Sequence, residues 1–133
     1  MDIYKTKVFS RWAGSEGLSD GDLVGAVTEL CNGQFEASLG GNLYKKRVAL
    51  AGRGKSGGAR TLIACRVGER AFFLFGFKKN ERDNIDQQEL KFLKQIAKEQ
   101  MAAPSAMIDV AFAAGELMKV VIAEKKDGQQ TAE

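Results

Sequence analysis

The stretch Ala71-Phe72-Phe73-Leu74-Phe75-Gly76-Phe77 leaves this chain little choice of architecture. It is far shorter than the roughly 20 apolar residues of a membrane span, and it lies between the charged Arg70 and Lys78. It reads as a central β-strand buried on both faces. Such a strand needs partners along its edges and helices above and below it. The sequence supplies both.

Leu43 to Leu50 alternates so that Tyr44, Lys46, Val48 and Leu50 share one face and Lys45 and Arg47 the other. Arg60 to Val67 alternates in the same way, and Gly68-Glu69 joins it tightly to the phenylalanine strand. Three consecutive strands so joined predict an antiparallel meander. Ala51 to Ala59, with four glycines and two cations, reads as a loop between the first two. On either side of the meander lie amphipathic helices. Ser19 with Asp22 opens one, with Leu23, Ala26, Val27, Leu30 and Cys31 in a stripe that ends at Asn32-Gly33. Asp86 with Glu89 opens the other, with Leu90, Leu93, Ile96, Ala97 and Met101. Ile3 to Phe9 starts as a strand and passes into a helix marked by Val8, Phe9, Trp12 and Ala13. Pro104 stops the long helix, and Ile108, Ala111, Phe112 and Leu117 suggest a further one weakened by Gly115.

The chain has 133 residues, which suits one α+β domain, placed at residues 1–123, with a polar tail over 124–133 expected to be disordered. No run is long enough to span a membrane and no charged-then-apolar leader opens the sequence, so a cytoplasmic, soluble protein is expected. The chain contains no histidine, which removes Ser-His-Asp and Cys-His nucleophiles and imidazole acid-base chemistry. Cys31 and Cys65 both sit in apolar stretches and read as buried hydrophobes, and no metal site or cofactor is expected.

The net charge of +3 hides a strong polarity. Between Gly40 and Arg82 there are eleven basic residues against Glu69 and Glu81, a local charge of +9, and the remainder of the chain carries −6. Cations interleaved with strand-forming hydrophobics are the electrostatic footprint of a nucleic-acid surface. Gly54-Lys55-Ser56 is not a phosphate loop, because the first glycine of that motif would fall on Ala49 and the segment leads into a strand. Phe72, Phe73, Phe75 and Phe77 would stack bases if exposed, but two flanking helices need a surface to cover, so they are assigned to the core.

Leu43-Tyr44-Lys45-Lys46-Arg47-Val48, the segment Gly52 to Arg60, and Phe77-Lys78-Lys79-Asn80-Glu81-Arg82 together resemble the RelE/HigB branch of the RelE/ParE superfamily of type II toxins. The likeness runs from Tyr4-Lys5-Thr6 to the helix at Glu89-Leu90 and weakens after Pro104. It implies a RelE-like α+β fold, with N-terminal helices packed on a twisted antiparallel sheet and C-terminal helices following. It also implies a toxin that cuts mRNA on the ribosome and a cognate antitoxin, commonly a helix-turn-helix DNA-binding protein. Carried onto this chain, the catalytic positions are Lys45, Arg47, Arg60, Lys79, Asn80 and Arg82, with Lys46, Arg53, Lys55 and Lys78 as RNA-binding cations. The tyrosine that several members carry after the last cluster has no counterpart, since Ile85, Asp86 and Gln87 stand there.

Metal-free RNA cleavage by in-line attack of a ribose 2′-OH needs a base, an acid and cations around the phosphate. Arg47 and Arg60 suit the last role, Lys45 or Lys79 the proton transfers, and Glu81 competes as base. Two other functions compete with this one: a ParE-like inhibitor of DNA gyrase on the same fold, and a non-catalytic RNA-binding module.

Overall fold

The computed structural model describes residues 1–50, 54–82 and 84–122. β1 (Asp2–Thr6) passes directly into α1 (Lys7–Ser15) and is followed by α2 (Asp20–Cys31), β2 (Ala37–Gly40) and β3 (Leu43–Leu50). β4 (Gly54–Arg66), β5 (Arg70–Lys78), α3 (Gln87–Ala102), α4 (Ser105–Ala113) and β6 (Leu117–Lys119) complete the order. One sheet holds the six strands in the order β2-β3-β4-β5-β1-β6. The meander of β3, β4 and β5 is antiparallel as expected. β1 instead joins β5 in parallel, with Ile3 opposite Ala71, and β6 closes that edge antiparallel to β1.

The helix starts follow their capping residues. Thr6 Oγ1 accepts the Phe9 N–H at 3.1 Å, which turns strand into helix in a single step. Ser19 with Asp22 and Asp86 with Glu89 each form a reciprocal capping box, so two orphaned N–H groups are satisfied at the head of α2 and of α3.

The sheet separates two apolar layers. On one face, Phe9, Leu23, Val27 and Leu30 of α1 and α2 pack on Val48, Ile63 and Phe73. On the other, Leu93, Ala97, Met101 and Ile108 of α3 and α4 pack on Leu43, Leu62, Phe72 and Leu74. Phe72 and Phe73, both 0% exposed, point to opposite layers, and burying each contributes about 1.5–3 kcal/mol. The central strand is thus covered on both sides.

A bulge changes what simple alternation implies for this strand. The register between β4 and β5 shifts at Leu62/Ile63, where Leu62 lies opposite Phe75 but Ile63 lies opposite Phe73. Leu74 is the extra residue, and beyond it Phe75 and Phe77 fall on the α3 side rather than beside Phe73. Gly76 then faces α1, where an added Cβ would come within 2.3 Å of the Trp12 ring. The glycine lets the indole lie directly against the backbone.

Two expectations require correction. Of the segment read as a loop over Ala51 to Ala59, residues 54–59 are strand, because β4 begins at Gly54, opposite Leu50 and beside a register shift between Val48 and Leu50, and residues 51–53 lie outside the described residues. Leu117 does not belong to the last helix. Gly115, at φ +81°, ends α4, and Leu117 pairs with Thr6 in β6. The edge strands β2 and β6 were not anticipated at all. The expected tail at 124–133 lies outside the described residues, and no described helix is long and apolar enough to cross a membrane.

Asp20 ties three elements together, accepting from Lys5 Nζ at 2.9 Å and from the Val121 N–H at 2.9 Å. Partial burial works to raise its pKa, but the Val121 amide and the Lys5 ammonium outweigh it and hold the carboxyl below its usual value of 3.8. Its contribution to stability is therefore present above that value and is lost as the pH falls through the lowered one. Asp20→Asn should be less stable than the parent at pH 7, and the difference should shrink below about pH 4 in denaturant titrations. Gly76→Ala should cost about 2–3 kcal/mol in urea unfolding. Gly14→Ala, where an added Cβ meets nothing within 4 Å, should not destabilise the chain.

Candidate anion-binding site

β3 and β4 bring two arginines side by side. Arg47 and Arg60 are directly opposed across the antiparallel pair, so their side chains leave the same face of the sheet. Like charges so placed repel, and Arg60 is also only 4% exposed. The compensation comes from Glu36. Its Oε1 lies 2.7 Å from Arg60 Nε, and its Oε2 lies 3.5 Å from Arg47 Nε. Arg60 Nη1 nevertheless remains buried without a hydrogen-bond partner among the described residues. An unpartnered buried donor on Arg60 beside a second, half-exposed guanidinium is the arrangement an anion would complete.

Glu36 reaches this position through the turn after α2. Gly33, at φ +86°, reverses the chain, and the Gln34 N–H donates to the Glu29 carbonyl at 2.9 Å. Phe35 then packs edge-on against Tyr44 at 4.9 Å on one side of the sheet. The Glu36 N–H donates to the Lys45 carbonyl at 2.8 Å, and its carboxylate goes to the other side.

Lys45 is two residues before Arg47 and on the same face, with its Nζ 3.4 Å from Asn84 Oδ1. Asn84 Oδ1 also accepts the Ile85 N–H at 2.9 Å. Arg82 holds this corner. Its Nε donates to the Asn84 carbonyl at 3.0 Å, its Nη1 and Nη2 bind the two oxygens of Glu89, and its guanidinium lies over the Phe75 and Phe77 rings at 5.9 and 5.5 Å. The hydrogen bond from Arg82 and the Asp86 N–H hold the Glu89 carboxyl below its ordinary range, and Glu89 in turn raises Arg82.

The expected site residues therefore divide. Lys45, Arg47 and Arg60 converge, with Arg82 at their border in a bidentate ion pair that leaves it an anchor between β5 and α3. Lys79 and Asn80 are exposed in the turn after β5, next to this group through the Lys79 N–H and the Gly58 carbonyl at 3.4 Å. Neither side chain bonds to another described residue.

Lys46 and Lys78, expected to bind RNA, are displaced from this face. Lys46 is 3% exposed and its Nζ lies 2.6 Å from Glu29 on α2, because strand alternation sends it to the opposite layer. Lys78 is opposite Ala59 of that same layer and lies 3.8 Å from Glu16 and 3.7 Å from Glu81. Lys55 is the second residue of β4, and its side chain, like all of Arg53, is outside the described residues. Glu36 and Asn84 are the members that the sequence did not reveal. Cys65 is no nucleophile here, since burial, followed by the nearby Cys31, pushes its thiol up to about 12.

A family model described as the RelE toxin of the RelE / RelB toxin-antitoxin system matches residues 1–120. The chain belongs to this family. The match extends past Pro104 to the end of β6, beyond the point where the sequence motifs fade. No curated protein matches the chain. Membership makes this RelE-family chain the toxin of a toxin-antitoxin pair, so an antitoxin is its partner. The α+β architecture, with α1 and α2 on one face of a mostly antiparallel sheet, agrees with the family expectation.

Removing Glu36 leaves a buried guanidinium uncompensated, so Glu36→Ala should cost about 1–3 kcal/mol in urea unfolding. Arg60→Met keeps the volume and discards the buried charge, so it should cost less than Glu36→Ala.

Proposed function

We propose that this toxin is a metal-independent endoribonuclease that cuts mRNA on the ribosome and so arrests translation. The observation that carries the reading is the Arg47/Arg60 pair, held on one face with Lys45 and retaining a buried guanidinium donor that has no partner among the described residues. A phosphodiester matches these guanidinium groups in charge and in hydrogen-bond demand.

The 2′-OH would attack the adjacent phosphorus while its proton passes to a base. The P–O5′ bond breaks opposite the new bond, and the leaving 5′-oxygen takes a proton from an acid. The products are a 2′,3′-cyclic phosphate and a free 5′-OH. Arg47 and Arg60 would hold the non-bridging oxygens and offset the charge that grows in the pentacoordinate transition state. Lys45 is the proton-transfer group with best access, on the face of Arg47 and held at Asn84, and Lys79 in the adjoining turn is the second. Glu81, turned toward Lys78, is a weaker candidate base than the sequence implied. Flexible lysines do not by themselves define an in-line geometry, so the ribosome would orient the mRNA.

Arg60 is buried, so Arg47 is the safer residue to test. Induction of Arg47→Ala should lower the cleavage rate about 100-fold with the fold intact by circular dichroism. The wild type should give mRNA 5′ ends in register with codons. Full toxicity of a folded Arg47→Ala/Lys45→Ala double variant would refute the proposed site. A DNA-damage response without mRNA ends would favour a gyrase inhibitor, and RNA binding without cleavage on ribosomes a non-catalytic module.

A further inference from the structure

The positive charge singled out between Gly40 and Arg82 is not all that this face carries. Lys91, Lys94 and Lys98 are exposed on α3, at the i, i+3 and i+7 positions that share one side of a helix. They line a groove of about 520 Å³ together with Arg66 of β4 and the Gly41-Asn42 turn between β2 and β3. The Lys94 ammonium lies against that turn, since a Cβ on Gly40 would stand 3.5 Å from its Nζ. Among the described residues, no acidic side chain lines the groove. Glu69, which pairs with Arg66 at 3.4 Å, and Glu99, which accepts from Gln95 at 3.0 Å, lie outside its lining.

The groove leads to the candidate site. β3 runs from the Gly41-Asn42 turn through Leu43 to Lys45 and Arg47, all three on the α3 side of the sheet. The head of α3 meets the same place, because Arg82 binds Glu89 of α3 and also Asn84, the residue beside Lys45 Nζ. One cationic path therefore runs from Arg66 along Lys98, Lys94 and Lys91 to Lys45 and the two arginines.

We infer that this path binds the backbone of a single RNA strand several nucleotides away from the scissile phosphate. Successive lysines on one helical side stand about 5–6 Å apart at Cβ, a ladder of point charges suited to regularly repeated anions. The described lining offers no aromatic ring on which a base would stack, so the contact is to phosphates and is indifferent to sequence. Its continuity with the arginine pair favours RNA over an acidic protein segment. The inference rests on the reading that the cleft holds RNA.

The test uses the full-length toxin with 2′-O-methyl oligonucleotides, which cannot be cleaved, of four and of fifteen nucleotides. Lys91→Gln/Lys94→Gln/Lys98→Gln should weaken binding of the longer strand about ten-fold at low salt and reduce its log–log salt slope by about 2. The four-nucleotide strand should bind the variant as it binds the wild type. Arg47→Ala should weaken both lengths. Unchanged affinity and slope for the fifteen-nucleotide strand in the triple variant would overturn the inference while leaving the cleft reading intact. If Arg47→Ala changes neither length, the reading of the arginine pair as an RNA site fails and the inference that rests on it falls with it, an outcome distinct from an unchanged triple variant. Should the triple variant lose helicity, Lys94→Gln alone decides: a slope lower by about 0.7 supports the path, and an unchanged slope overturns it.

Discussion

A guanidinium taken out of water must be met by opposite charge and by hydrogen-bond acceptors, and at Arg60 that requirement organises the whole face. Glu36 supplies one carboxylate to two arginines, satisfying Arg60 Nε and relieving the repulsion with Arg47. Holding Glu36 there takes the reversal at Gly33, the contact of Phe35 with Tyr44 and the backbone bond to Lys45. The short edge strand β2 follows directly from that anchoring. What the carboxylate does not satisfy is Arg60 Nη1, which has no hydrogen-bond partner among the described residues.

The two-sided sheet explains why this charge gathers where it does. α1 and α2 pack on one face, and the cations directed there, Lys46 and Lys78, form ion pairs with Glu29 and Glu16. α3 and α4 pack on Leu43, Leu62, Phe72 and Leu74 of the other face, and Arg47, Arg60 and Phe77 lie further along it, with Arg82 linking Phe77 to the head of α3. The bulge at Leu62/Ile63 contributes directly, because it turns Phe75 and Phe77 to that side, where their rings support Arg82. The same helix that covers the core thus borders the candidate site at one end and carries a lysine ladder along its outer side.

The parts legible in the sequence were those with local signals. Apolar stripes and capping boxes marked α2 and α3, and alternation marked β3 and β4. Alternation also separated Lys46 from Lys45 and Arg47, although charge alone grouped all three. The edge strands β2 and β6, of four and three residues, carry no periodic pattern, and the parallel pairing of β1 with β5 joins residues almost seventy positions apart. A bulge is invisible to a period-2 reading, and so the positions of Phe75 and Phe77 came only from the register. Glu36 and Asn84 enter the site through tertiary contacts that composition does not encode.

The central claim is that Arg47 and Arg60 together receive an RNA phosphate. Its most direct test is a titration of the full-length protein with a 2′-O-methyl trinucleotide, observing the arginine Nε–Hε resonances by NMR. The account predicts that the signals of Arg47 and Arg60 shift together and saturably, with those of Arg11 and Arg70 unmoved. Shifts that spare Arg60, or that spread evenly over all arginines, would contradict it.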